Sequence, residues 1–224
     1  MEIKNNLQSL LMSLDANSDK DKIKSTFEEI AMELFNNYHI QKGKQEYYFM
    51  NIEFYFFNKG HQDIITYPRH LTEGKWFFHS SGVDLTLNSQ LASENTKEID
   101  ANTDFFGGIL IRSLVKKSEE KVTLKGPHLC EWEIFDVFDA LSPMSSVPYI
   151  ESNKSLGYTK DEIKKCKCKR VFSYKGDKID NKFNELNKLF KGINLSVEQF
   201  ETFLKMKYAY KVNEDDLRKR INSL

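Results

Sequence analysis

The chain has 224 residues, of which 40% are hydrophobic and 29% are charged, so it has the length and apolar content to fold around a core. No apolar run approaches the roughly 18–20 residues that span a bilayer, and the first residues lack the features of a signal peptide. Three cysteines, Cys130, Cys166 and Cys168, do not form a disulfide framework. The sequence therefore predicts a soluble, cytoplasmic protein without a membrane partner.

The net charge of zero conceals an uneven distribution. Residues 1–150 carry 15 Lys and Arg against 22 Asp and Glu, a balance of −7, whereas residues 151–224 carry 18 against 11, a balance of +7. Overall neutrality is not typical of a protein that binds nucleic acid mainly through its phosphates. The basic C-terminal third is either a solvated face or a local contact for a polyanion. The candidate contacts are Lys164, Lys165, Lys167, Lys169 and Arg170.

The first forty residues are predicted to be helical. Ser18 and Asp21 are spaced as in a capping box, and apolar residues follow at helical spacing. These residues are Ile23, Phe27, Ile30, Ala31, Leu34 and Tyr38. From Glu46 the pattern changes, and the aromatic run Tyr47–Phe57 predicts a strand that ends in a turn at Asn58-Lys59-Gly60.

Further strands and three short helices are predicted downstream. Trp76–Leu87 is typical of one or two strands around Gly82, and Phe105–Val115 of another, with a polar loop at Asn88–Thr103 between them. The predicted tail helices cover roughly Asn181–Lys191, a segment capped by Ser196 with Gln199, and a segment that begins near Asn213.

Alternation along the aromatic strand separates two faces. Met50, Ile52, Phe54 and Phe56 form an apolar face, which places Glu53 and Tyr55 on the other. A carboxylate among aromatic rings has a raised pKa and can act as a general base, although a Glu on the wet side of a sheet fits the same pattern. Arg112, the one cation in an apolar strand, requires a carboxylate such as Glu53 or Asp84, a phosphate, or carbonyl groups.

Four segments that occur in this order resemble the alkyladenine (3-methyladenine) DNA glycosylase family. They are similar to its E-x-Y strand, its aromatic Y-V-Y-x-x-Y-G strand, its L-L-R-A strand and its G-P-x-x-L-C segment. In this sequence the segments are Ile52–Tyr55, Lys75–Gly82, Gly108–Leu114 and Gly126–Cys130. The resemblance covers roughly residues 46–140.

The resemblance implies a mixed α/β (α+β) fold, a single domain on a curved antiparallel sheet. Residues 45–150 would form the β-rich core of this domain. The helices in residues 1–44 and the basic, mostly helical part in 151–224 follow from the residue pattern and have no obvious counterparts in the family. The resemblance also implies that a flipped base lodges between aromatic rings. Glu53 matches the Glu that activates water, Tyr55 and Phe78 match the stacking walls, and Arg112 matches an Arg that holds a phosphate or orients the carboxylate.

Two positions depart from the family pattern. Ser81 stands where the family has a wedge Tyr, and Ser cannot prop apart a base step. The family's His after the catalytic strand has no direct counterpart, because Ile64 occupies the simple offset; His70 is the nearest candidate. These departures favour a single-stranded or free substrate over duplex DNA.

The leading functional hypothesis is cleavage of an N-glycosidic bond on a nucleobase substrate, with Glu53 as general base. The alternative is a non-catalytic protein that binds a nucleotide or nucleic acid in the same pocket, so whether the chain is an enzyme stays open. No cofactor is implied and no oligomeric state is indicated.

Other side-chain groups carry less specific patterns. Four side chains around one loop could supply metal ligands, namely His61, Asp63, His70 and His79. Their spacing matches no known metal-binding motif, so a metal-dependent hydrolase is a third and weaker hypothesis. Cys166 and Cys168 are expected to be solvated loop thiols. Trp132, Phe135 and Phe138 are expected in the core.

Overall fold

The computed structural model describes residues 2–93, 98–118, 120–136, 147–172 and 176–224. The helices in these ranges are α1 (Glu2–Met12), α2 (Lys20–Asn37), α3 (Pro127–Ile134), α4 (Lys160–Lys165), α5 (Asp177–Asn187), α6 (Val197–Lys205) and α7 (Glu214–Asn222). None of these helices is long and apolar enough to cross a membrane.

The strands divide between a large sheet and a small one. They are β1 (Tyr38–Lys42), β2 (Gln45–Asn58), β3 (His61–Gln62), β4 (Trp76–His79), β5 (Gly82–Thr86), β6 (Ile99–Asp100), β7 (Phe106–Lys116), β8 (Thr123–Lys125), β9 (Tyr149–Ser152), β10 (Lys167–Cys168), β11 (Phe190–Lys191) and β12 (Ala209–Lys211). The large sheet runs in the order β10-β12-β2-β7-β5-β4, with β1 and β3 paired to β2, β9 to β1, and β8 to β7.

Pairing in the large sheet is antiparallel throughout the described residues, and the small sheet is a parallel pair of β6 and β11. The prediction of a mixed α/β single domain on a mostly antiparallel sheet is therefore confirmed. The long strands β2 and β7 pair along nearly their whole length, so they form the centre on which the other strands assemble.

The predicted apolar face of β2 is confirmed. Ile52, Phe54 and Phe56 are completely buried in the main core. Helix α2 covers this face, and its Phe27 stacks on Phe54 with ring centroids 4.6 Å apart. The opposite face of β2 is thereby left for other contacts, and that face carries Glu53 and Tyr55.

The predicted helix starts are confirmed in two places and displaced in two. Ser196 caps α6 through a capping box with Gln199, and Asn213 caps α7. The cap of α2 is Asp19 and not Ser18, because the Asp19 carboxylate accepts from the backbone N–H groups of residues 21 and 22. Helix α5 begins at Asp177, four residues before the predicted start.

Other expectations need correction. Ile99 and Asp100 lie in the predicted loop but form β6, because β11 offers a parallel partner. Trp132 is 65% exposed and not in the core. Phe135 does pack on the core edge, and Phe138 lies outside the described residues.

Candidate active or binding site

One row of residues crosses the face of the sheet opposite α2. Glu53 pairs with Leu110 across β2 and β7, Leu110 pairs with Asp84 of β5, and Asp84 pairs with Phe77 of β4. On the other side Glu53 pairs with Ala209 of β12. Residues directly opposite each other in antiparallel strands share a face. The register therefore places the carboxylates of Glu53 and Asp84 on one surface, separated by a leucine.

Glu53 is completely buried and has a partner for each of its oxygens. Its Oε2 accepts a hydrogen bond of 2.8 Å from the Tyr55 hydroxyl, and its Oε1 accepts one of 2.8 Å from the backbone N–H of Val171. Arg112 Nε lies 3.5 Å from Oε1. Burial raises the pKa of Glu53 above its ordinary value, because the Arg112 charge and these hydrogen bonds offset the cost of desolvation only in part.

Tyr55 is held between Glu53 and a buried arginine. The Arg170 guanidinium lies 4.6 Å from the Tyr55 ring centroid and pairs with Asp63 at 2.5 Å, both side chains being fully buried. Arg170 was among the candidate contacts for a polyanion, and that expectation is wrong because its charge is already matched inside the protein. Burial, together with the Glu53 charge, raises the pKa of Tyr55 well above its ordinary value, so its hydroxyl stays a donor.

A second buried ion pair fixes the loop that joins β3 to β4. Arg69 Nη1 lies 2.8 Å from Asp84 Oδ2, and the guanidinium carbon lies 4.2 Å from the Phe77 ring centroid. Gly108 makes this arrangement possible, since a Cβ there would lie 2.2 Å from Arg69 Nη1. Burial disfavours the ionised form of Asp84, but the Arg69 charge and a hydrogen bond from His79 outweigh it and lower the pKa of Asp84.

His79 links this ion pair to the loop surface. Its Nδ1 accepts a hydrogen bond of 3.1 Å from the backbone N–H of Ser81, so in the neutral ring Nε2 carries the proton and donates to Asp84 Oδ1 at 2.9 Å. The Tyr67 ring stacks on His79 with centroids 4.3 Å apart, and its hydroxyl contacts the hydroxyls of Ser80 and Ser81 at 2.8 and 3.3 Å. His79 is thus a structural link whose two nitrogens are both used.

A cavity of about 420 Å³ opens above these groups. Its size is in the range of small-molecule sites, roughly 300–1,000 Å³. Aromatic and apolar side chains alternate in its wall with hydroxyls and cations. Residues that line it include Tyr55, Ile64, Thr66, Tyr67, Arg69, His79, Ser81, Asp84, Leu110, Arg112, His128, Phe172, Lys182, Glu185 and Leu186.

The predicted site residues separate into three groups. Tyr55, Ser81 and Arg112 line the cavity, whereas Glu53 lies directly behind Tyr55 and Arg112 without lining it. Phe78 is on the opposite face, because it pairs with Val83 of the main core; it is 47% exposed and packs edge-on against Phe135. His70 is exposed and is not among the lining residues. The structure therefore does not bring Phe78 or His70 to this cavity.

Sequence reasoning missed part of the cavity wall. Thr66, Tyr67 and Arg69 belong to an irregular loop without periodicity, and Phe172 and Lys182 come from the C-terminal third. The sequence did contain one signal for Arg69. Gly107 and Gly108 are adjacent glycines inside strand β7, and glycines inside a strand often mark the close approach of another group, which at Gly108 is the Arg69 side chain.

In the described part of the chain, no group of three or more His, Cys, Asp or Glu side chains is arranged to hold a metal ion.

Comparisons with known proteins give one weak similarity. No family model matches the sequence. A protein of Acanthamoeba polyphaga mimivirus, named Uncharacterized protein L759, is 26% identical over 179 residues, which cover 71% of this chain and 81% of that protein. No solved structure matches. The residues of the site itself therefore carry the evidence for a function.

Gly108→Ala is expected to destabilise the fold by displacing Arg69 from Asp84. The added Cβ would lie 2.2 Å from Arg69 Nη1 and 2.7 Å from Asp84 Oδ2, and we expect a loss of about 3 kcal/mol in the free energy of unfolding, measured with urea. Gly60→Ala is the matched control, because its Cβ would meet nothing closer than Asn58 Oδ1 at 3.7 Å. An equal, small effect of both substitutions would contradict the close approach at Gly108.

Asp84→Asn is expected to cost about 3–5 kcal/mol at pH 7, because it leaves the Arg69 charge buried without a carboxylate. The pKa of Asp84 is lowered in the folded protein, so its contribution is complete above the unfolded value of about 3.9 and is lost as the pH falls through the folded value. The stability difference between wild type and variant should therefore shrink on acidification.

Denaturant titrations between pH 7 and pH 3 measure this difference. Adding Arg69→Met to Asp84→Asn should restore part of the stability at pH 7, because no buried charge is then unpaired. A difference that stays constant down to pH 3 would show that Asp84 does not act through its charge.

Proposed function

We propose that the cavity binds a nucleotide-sized ligand that combines a planar ring with an anionic group. The observation that carries this proposal is the position of Arg112 beside the aromatic rings of the wall. Its side chain is 20% exposed and lines the cavity, and its guanidinium makes no hydrogen bond to the described residues. Arginine presents its N–H groups as a planar fork that suits phosphate.

The rest of the wall suits the ring of such a ligand. Tyr55, Tyr67 and Phe172 supply aromatic surface, and Leu110 supplies an apolar floor between the two carboxylates. Base stacking on aromatic side chains is worth roughly 1–3 kcal/mol per base and tolerates any base. Binding is better supported than catalysis, because Glu53 has no exposed surface and both its oxygens are engaged.

Titration calorimetry with AMP, GMP, CMP and UMP tests the proposal. At least one nucleotide should bind, and it should bind more tightly than its nucleoside, which lacks the phosphate for Arg112. Replacing Arg112 and Glu53 together by Gln avoids an unpaired buried carboxylate and should weaken binding by about ten- to a hundredfold.

Arg218→Gln is the control for this variant. Arg218 is similarly shielded, with its side chain 12% exposed, and it pairs with Glu214 outside the cavity, so affinity should not change. Absence of binding by all four nucleotides, or equal losses in the Arg112 and Arg218 variants, would refute the proposal.

Cleavage of an N-glycosidic bond is a second candidate function. It is supported by the raised pKa of Glu53 and by the two lining residues, Tyr55 and Arg112, that contact its carboxylate. A shift of Arg112 toward a bound phosphate would leave Oε1 with the Val171 N–H as its hydrogen-bond donor. A water that entered beside Tyr55 could then reach Oε1, and Glu53 would act as its general base.

Glu53→Gln should reduce release of free base from an alkylated or deaminated oligonucleotide by about 10²–10⁴-fold, the usual contribution of a general base. Glu46→Gln is a close control. Glu46 lies on the same strand and accepts a hydrogen bond of 2.8 Å from the hydroxyl of Tyr48, two residues further along, as Glu53 does from Tyr55. Chromatography of released bases measures the effect. A wild-type protein that releases no base while it binds nucleotides would exclude this second function.

A further inference from the structure

Three polar atoms in the cavity wall are buried without a hydrogen-bond partner of good geometry. They are Thr66 Oγ1 and both terminal nitrogens of Arg69, in residues that are each only 1% exposed and that both line the cavity. Arg69 Nη1 still has an ion-pair partner, since it lies 2.8 Å from Asp84 Oδ2, whereas Thr66 Oγ1 and Arg69 Nη2 have none. A buried donor left unpaired costs roughly 1–3 kcal/mol, so such atoms usually have a partner in the functional state. Both residues lie on the same loop, three positions apart.

The chemistry of these atoms points to a neutral acceptor. The charge of Arg69 is already balanced by Asp84 at 2.8 Å, and Asp84 is also bonded to His79. A phosphate is better accommodated at Arg112 than at Arg69, because the Arg112 side chain is 20% exposed and lies 3.5 Å from Glu53, whereas the Arg69 side chain is fully buried and lies 2.8 Å from Asp84, whose carboxylate would repel the phosphate. A ring carbonyl carries no net charge and accepts hydrogen bonds, so it pairs with Arg69 without opposing Asp84.

An amino substituent at the same place would be disfavoured. Arginine has only donors, and an amino group facing Arg69 Nη2 would leave donors opposed and unpaired. Sites built to pair with one polar group reject analogues that leave the site's groups unpaired, because the penalty falls on buried atoms. Arg69 would therefore discriminate between oxo and amino bases, while the Thr66 hydroxyl, which can donate to an oxo group or accept from an amino group, would add a contact without discriminating by itself.

We propose that Thr66 and Arg69 recognise the oxo group of a nucleobase, so that the cavity prefers guanine over adenine and uracil over cytosine. The inference rests on the proposed nucleotide binding and names the ligand class. Both atoms are covered by neighbouring side chains, so this recognition requires the loop to shift and uncover them. Arg112 then holds the phosphate at the more exposed part of the wall.

Titration of the full chain with GMP against AMP, and with UMP against CMP, tests this inference. Each oxo nucleotide should bind about tenfold or more tightly than its amino counterpart. Thr66→Val keeps the branched shape and removes a hydroxyl that has no partner, so the fold should be kept. It should weaken GMP binding several-fold by removing one donor to the oxo group, and AMP binding by less, because Arg69 keeps the amino group of adenine from this position. Arg69→Lys keeps the charge opposite Asp84 and should abolish the preference.

Thr202→Val is the control, since Thr202 lies on α6 and does not line the cavity. Equal affinities within both nucleotide pairs, with binding still dependent on Arg112, would overturn the inference and leave the proposed function standing. Displacement of GMP from the Arg112 and Glu53 double variant by inorganic phosphate would assign Arg69 to phosphate and also overturn it. If none of the four nucleotides binds, the proposed function and this inference fail together.

Discussion

The ion pair between Arg69 and Asp84 is the constraint on which the cavity depends. It ties an irregular loop of about a dozen residues to the centre of the sheet, and a buried charge of this kind is tolerated only with its partner in place. The strand residue beneath it has to be glycine, because any Cβ at Gly108 would meet the guanidinium. One wall of the cavity therefore depends on a glycine, an arginine and an aspartate from three separate segments.

A second buried pair fixes the other side of the site. Arg170 reaches from the C-terminal third to Asp63 at the start of the same loop, and it also donates to the backbone carbonyls of Phe54 and Phe203. The next residue, Val171, donates its N–H to Glu53. The basic third of the chain thus contributes a structural cation as well as surface lysines, and residues in 171–172 and 182–190 complete the wall of the cavity.

The sequence predicted the local elements better than the site. Periodicity identified α2 and β2, and alternation placed Glu53 and Tyr55 on one face, because both signals arise from neighbouring residues. The pairing of Arg112 with a carboxylate followed from the cost of burying an isolated charge. Arg69 was not predicted, since its position is set by a loop and by long-range packing. Phe78 was assigned by resemblance to the wall of the pocket, but the hairpin register turns it to the other face.

We propose a nucleotide site in this cavity, with Arg112 at the phosphate and the loop that carries Thr66 and Arg69 at the base. The most direct measurement is a crystal structure of the chain with GMP bound. We expect phosphate oxygens within hydrogen-bond distance of the Arg112 guanidinium and the guanine oxo group beside Arg69 Nη2 and Thr66 Oγ1. Electron density for GMP at another surface, with the cavity unoccupied at saturating ligand, would contradict this proposal.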